Sequence, residues 1–272
     1  MNNSLPRRSK KEERREESTR KILDVAEALF GERGFHGVTL RDVAREAGVD
    51  TSLVHYYFTD KSELFNAVFA RRAPAVNDMR MLSMLKYEAE VGRERMTLEG
   101  VIHAFLRPFF EKLAEGGPGW RSYGALVGTA NSSPSWGTRM MSDTYDAVAL
   151  HLVKLLRELM PKAAEEDLYW SYHFLSGAYT FSLAQTGRVD ALSDRLCSST
   201  DMKAIAARMA PLFAEGIAAM CRDGRRANVA DWGVGEKRAS PRTQARDRVL
   251  PLATEAQRLS PSRNGRARKH SA

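Results

Sequence analysis

Apolar residues in the N-terminal part of the chain recur at intervals of three and four. Ile22, Leu23, Ala26, Leu29 and Phe30 make one stripe, which predicts a helix ending near Gly34, where a left-handed cap is favoured. Leu40, Val43, Ala44 and Ala47 predict a second, short helix, and the stretch Thr51–Tyr57 predicts a third. A fourth starts near Lys61 and runs towards Tyr87, with a kink expected at Pro74. Later helices are predicted at about 97–115, 120–131, 135–159, 165–187 and 201–222. Their breaks are the turn Gly116-Gly117-Pro118-Gly119, Pro134, Pro161 and the stretch from Gly187 to Thr200. No segment alternates convincingly with period two, so the pattern predicts an all-α fold.

The same pattern divides the chain. Residues 1–17 form a mixed-charge arm, read as disordered or frayed helix. Residues 18–66 hold the three short predicted helices, residues 67–223 a larger helical domain, and residues 224–272 an aperiodic tail read as disordered. Charge sharpens that division. The chain of 272 residues carries a net charge of +8, and the tail alone holds 12 Lys and Arg against 4 Asp and Glu. The preceding residues balance to zero, so a nucleic-acid reading cannot rest on total charge and must rest on local residues.

Composition excludes several classes. At 43% hydrophobic and 28% charged residues, the chain is that of a folded domain. It has no apolar run of about 18 residues, so no membrane association is expected. The charged N-terminus has no apolar core behind it and does not read as a secretory signal. Cys197 and Cys221 are too few and too isolated for a disulfide framework or a zinc site, and they fit a reducing cytoplasm, with the protein on the nucleoid. No catalytic constellation, metal site or cofactor motif is found, so no enzyme activity is expected. His103, His151 and His173 lack metal-ligand spacing and read as structural.

The informative stretch is TLRDVAREAGVDTSLVHYYFTDKSELF, from Thr39 to Phe65. Thr39 can cap the second helix, with Asp42 in its first turn. Gly48 stands where a left-handed residue permits a sharp turn, and Asp50 is a second good cap. Two short helices joined by a tight glycine-containing turn make a helix-turn-helix. Small Ala44 and Ala47 permit close approach. On the third helix, Val54 and Phe58 face inward with Val49 and Tyr57, whereas Thr51, Ser52 and His55 share a polar face, with Tyr56 beside it. Hydrogen-bonding side chains at the start of a recognition helix suit base edges in the major groove. Thr39, Arg41, Tyr56 and Lys61 are candidate phosphate contacts. Spacing alone equally fits a small bundle with ordinary caps and a solvated face.

The segment GFHGVTLRDVAREAGVDTSLVHYYFTDKSELFNAVF resembles the N-terminal domain of the TetR/AcrR family of bacterial repressors. The resemblance covers about residues 18–66. It rests on A-x-x-L-F in the first helix, D-V-A in the second, A-G-V, the Y-x-F block at 56–58 and K-x-x-L-F at 61–65. It implies a homodimer on double-stranded, palindromic operator DNA, usually as a repressor. Its DNA contacts would be Thr39, Arg41, Thr51, Ser52, His55, Tyr56 and Lys61. Position 55 is often tyrosine in such proteins and is histidine here, which leaves the base preference open.

For the larger domain, the resemblance implies a helical ligand-binding and dimerisation unit. Gly177, Ala178, Ala206, Ala210, Gly216 and Ala219 are small residues on apolar faces of the last two helices, the elements expected to form a four-helix dimer bundle. Met, Phe and Leu are plentiful between 79 and 141, which suits an adaptable apolar pocket as well as an ordinary core. The stretches TLEGVIHAFLRPFF and GPGWRSYGALVGTANSSPSW more loosely resemble regulators of the PsrA type, which respond to fatty acids or acyl-CoA. That resemblance implies a small hydrophobic effector, with Met84, Phe105, Phe109, Arg107, Arg121 and Met140 as candidate ligand residues. Arg107, Arg121 or Arg139 would meet an anionic head group. The rival readings are a drug-responsive efflux regulator, and a ligandless architectural DNA-binding protein relying on its basic tail.

Overall fold

A computed structural model describes residues 10–132 and 137–222. The tail at 224–272 and the first nine residues lie outside the described residues. Among those described there are no strands. The helices are α1 (Lys10–Arg33), α2 (Leu40–Ala47), α3 (Thr51–Tyr57), α4 (Lys61–Val91), α5 (Leu98–Glu115), α6 (Pro118–Asn131), α7 (Gly137–Leu159), α8 (Glu165–Leu183), α9 (Arg188–Leu192) and α10 (Met202–Met220).

The all-α expectation holds, and the first four helices fall where the apolar stripes put them. Three local features have physical reasons. First, α1 begins at Lys10, inside the arm, because residues 10–17 are all charged helix formers and contain no Gly, Pro or β-branched residue. Second, the helix expected at 165–187 ends at Leu183. Gln185 takes a φ of 47° and Gly187 a φ of 69°, and a short extra helix, α9, follows inside the stretch read as a break. Third, α4 runs unbroken through Pro74. Proline there only leaves the Ala70 carbonyl without a helical donor, a loss that packing on both sides of the rod outweighs.

One apolar core extends from Ile22 to Cys221. The boundary drawn from sequence at 66/67 therefore falls within α4, a helix shared by both parts. α1 and α4 are pinned together by charge. Glu27 sits on the apolar stripe of α1, its side chain 2% exposed. It accepts from Arg71 Nη2 at 2.7 Å and from Arg72 Nε and Nη2 at 2.8 Å. Arg72 also stands over the Trp120 ring at 4.8 Å, which adds α6 to the joint. α6 approaches α1 closely through Gly31, where an added Cβ would lie 2.7 Å from the Ser122 carbonyl oxygen.

Removing this buried carboxylate leaves Arg72 without an anionic partner and Arg71 with Asp24 alone. Glu27→Ala is expected to destabilise the fold by about 3 kcal/mol. Thermal unfolding followed by circular dichroism checks this, and a melting temperature equal to wild type would contradict it.

Candidate nucleic-acid interface

The geometry of α2 and α3 follows from local hydrogen bonding. Thr39 is extended (φ −115°, ψ 157°), and its hydroxyl oxygen accepts from the Asp42 amide at 3.1 Å. Asp42 returns the bond, its Oδ2 accepting from the Thr39 amide at 3.1 Å and from the Thr39 hydroxyl at 2.6 Å. This is a reciprocal capping box. Arg45 Nη2 pairs with Asp42 at 3.0 Å. α2 stops at Gly48, which is left-handed (φ 60°, ψ 40°). The Gly48 amide then bonds Arg45 O at 3.1 Å and the Val49 amide bonds Ala44 O at 3.0 Å. Asp50 caps α3 by accepting from the Ser52 amide at 2.7 Å. Asp60 caps α4 through the Glu63 amide at 2.8 Å, and Glu63 accepts from the Thr59 amide at 2.6 Å.

These caps set the rotational phase of α3. Val54 and Phe58 are buried, and Ala44 and Ala47 of α2 are buried against the same core. On the other side Ser52, His55 and Tyr56 are exposed and Thr51 is half-buried. Tyr56 is 72% exposed, its ring edge-on to Tyr57 at 5.3 Å. Arg41 is exposed at the start of α2. Lys61 lies half-buried in the first turn of α4, with Nζ 4.5 Å above the Phe35 ring. Phe35 in turn packs against Phe30 and Phe65, so the aromatic cluster holds the lysine at the surface. Six of the seven sequence candidates thus sit exposed or half-buried with polar groups free to turn outward. Thr39 differs, because its hydroxyl hydrogen is already given to Asp42. A phosphate oxygen can only accept, so Thr39 serves the cap first.

The candidate ligand residues separate into two sets. Phe105 and Phe109 on α5 and Met84 on α4 are buried in the core. Arg107 is exposed and pairs with Glu111 at 3.6 Å, and Arg121 is also exposed. Arg107 lies two residues from each phenylalanine, which is the opposite helix face. Arg107 therefore cannot share a buried site with Phe105 and Phe109, which corrects its place in the sequence reading. Arg139 is exposed too, and it joins the half-buried Met140 in lining a groove of about 500 Å³ with Phe65, Phe69 and Thr144. The cation that does meet the phenylalanines is Arg80, whose guanidinium carbon lies 4.4 Å from the Phe105 centroid and 5.4 Å from that of Phe109. Sequence reasoning passed over it, although Ala73, Val76, Arg80 and Met84 are spaced as one inward stripe.

The caps make a testable link to pH. The hydrogen bonds from Thr39 hold the Asp42 carboxyl below its usual 3.8, and those from Ser52 do the same for Asp50. A depressed carboxylate stabilises the fold fully above its unfolded value and loses that contribution as pH falls through its folded value. Melting temperature is expected to fall as pH drops below about 3.8. Asp50→Asn, which still caps, should show a weaker dependence in that window. An identical pH profile for the variant would contradict the assignment.

Comparison with known proteins fits this geometry. Residues 22–68 match the family model described as bacterial regulatory proteins, tetR family, and residues 103–216 match the tetracyclin repressor-like C-terminal domain. The transcriptional regulator AcrR of Shigella flexneri is 28% identical over 86 residues, which are 32% of this chain and 39% of that protein. SrpR of Pseudomonas putida is 33% identical over 91 residues, 34% of this chain and 39% of its own. The matches thus span about two-fifths of the length of these curated relatives. Among solved structures, the fatty acid degradation regulator FadR of Bacillus halodurans aligns with a TM-score of 0.51 at 16% identity, covering 78% of this chain and 98% of that one. FadR of Bacillus subtilis, in complex with stearoyl-CoA, aligns with a TM-score of 0.51 at 15% identity over 72% of this chain and 98% of its own. With the helix-turn-helix in place and both family models matched, the chain belongs to the TetR family of DNA-binding transcriptional regulators.

Proposed function

We propose that this regulator is a homodimeric repressor that places α3 of each protomer in the major groove of a palindromic operator and is released by a small apolar effector. The observation that carries the reading is the exposed Ser52–His55–Tyr56 face of α3, turned outward by the Asp50 cap and opposite buried Val54 and Phe58. In this reading Thr51, Ser52 and His55 meet base edges, while Arg41, Tyr56 and Lys61 meet phosphates, and Thr39 acts mainly through its cap.

The exposed apolar side chains of α8 and α10 support the dimer. Trp170, Phe174, Phe181 and Leu212 are 46%, 52%, 64% and 68% exposed. An added Cβ at Gly177 or Gly216 would meet nothing within 4 Å. Apolar surface of this kind, with small residues inside it, fits a partner's helices packing closely. The burial of Phe105 and Phe109 beneath α4 supports the effector, because α4 also begins at the turn that ends the reading head. Effector in the helical body would favour a conformation in which the two heads no longer match successive major grooves, about 34–36 Å apart. FadR of Bacillus subtilis, crystallised with stearoyl-CoA, makes an acyl compound a reasonable first effector to test.

Operator fragments selected from random DNA provide the assay. His55→Ala should cost about 1–3 kcal/mol and relax sequence preference. Lys61→Ala should weaken all sequences alike and lower the salt slope by about 1. Unchanged affinity and preference in His55→Ala, by fluorescence anisotropy, would remove α3 from the groove. Phe174→Glu is expected to give a folded monomer with much weaker operator binding. Sedimentation showing an intact dimer would move the interface elsewhere.

A further inference from the structure

Arg80 is 5% exposed, on the inward face of α4, deep in the helical body. Its Nε and Nη2 have no hydrogen-bond partner, and among the described residues no carboxylate pairs with it. Aromatic rings surround it instead, with Phe105 at 4.4 Å, Tyr179 at 4.6 Å and Phe109 at 5.4 Å from the guanidinium carbon. Ring faces offset part of the cost of burying a cation but cannot satisfy its N–H donors.

Two further orphans accompany it. The Tyr179 hydroxyl and the Asn77 carbonyl oxygen are also buried without partners. The phenols cannot supply the missing anion, since burial pushes Tyr123 and Tyr179 well up and Tyr145 up. A folded core rarely leaves one unpaired cation and two unpaired polar groups together. The Arg80 guanidinium therefore lacks an anionic acceptor, among rings that also carry the unpartnered Tyr179 hydroxyl.

We propose that Arg80 is the head-group anchor of the effector site and that its ligand is an organic monocarboxylate carried on an apolar body. This inference rests on the effector reading above and specifies its chemistry. A carboxylate accepts from Nε and Nη2 together, the fork geometry that guanidinium favours, and the Tyr179 hydroxyl can donate to the same group. The rings that now hold the cation would then line the apolar body. Entry is supported by the groove between α4 and α7, whose inner wall is Phe69 and Thr144. Asn77, three residues before Arg80 on α4, donates to the carbonyl of Thr144, which lines that groove. A group carrying several negative charges is disfavoured, because one guanidinium can compensate only one of them in a dry site.

The test titrates the full-length protein calorimetrically with straight-chain carboxylates from octanoate to hexadecanoate, with 2-naphthoate, and with the methyl ester of each. At least one acid should bind, and its ester about tenfold or more weakly. Arg80→Met, which fills the same space without charge, should abolish that difference and leave ester binding unchanged. Unfolding measurements establish that this variant folds, and the acid–ester comparison on the wild-type protein stands without it. Equal binding of acid and ester, persistence of the acid preference in Arg80→Met, or no binding by any acid would overturn the proposal. Release of operator by a neutral or cationic compound, with no carboxylate bound, would overturn it and leave the effector reading intact. Arg80-dependent carboxylate binding with no release of operator by any compound would uphold the site and overturn the effector reading.

Discussion

Glu27 is a carboxylate at a position where the helix pattern of α1 asks for an apolar side chain. It is tolerated because α4 brings two guanidiniums to it, and one of these is itself braced by Trp120 of α6. Three helices therefore meet at one charge. Hydrophobic packing alone permits small slides and rotations between helices, since an apolar contact has no preferred direction. A carboxylate held by Arg71 and bidentately by Arg72 does not, because the bonds have fixed length and direction. The reading head, which consists of α1 to α3, thus takes its orientation from a joint on α4.

The same helix carries Arg80 eight residues beyond Arg72, about 12 Å along the axis at 1.5 Å per residue. α4 therefore holds one satisfied cationic joint at the head and one unsatisfied cation in the body, with Pro74 between them. Proline removes one helical hydrogen bond at that place, so bending there is less costly than elsewhere on the rod. The head-side joint is rigid and the body-side cation is not yet committed. In the proposed reading, a change at the second would reach the first through a short, locally weakened stretch of helix.

Much of this was legible in the sequence. The caps at Thr39 and Asp50, the left-handed turn at Gly48 and the stripe through Val54 and Phe58 are local, and local rules place them within a residue. Lys61, in the first turn of α4, adjoins the reading head, but its cation–π contact with Phe35 depends on how the helices pack and could not be read from spacing. The arm before Ser18 reads as disordered or frayed helix, and from Lys10 the helical alternative holds. Charge density reads as solvation, yet residues 10–17 are individually good helix formers and extend a helix already nucleated by the core-facing stripe.

The ligand residues were legible only in part, because composition identifies an apolar region but not its polar exception. Arg107 and Arg121 were natural candidates when helical phase was ignored, and phase turns Arg107 to the face opposite Phe105 and Phe109. Arg80 was the residue to find, since an arginine on an inward stripe must either snorkel, pair or wait for a partner. Its burial closes the first route, and the lack of a carboxylate closes the second. What remains is a cation held by ring faces alone. Such an arrangement is worse for the empty protein than for the occupied one. A ligand that completes it binds the two conformations of α4 unequally whenever they place Arg80 differently, and that difference is what release of DNA requires.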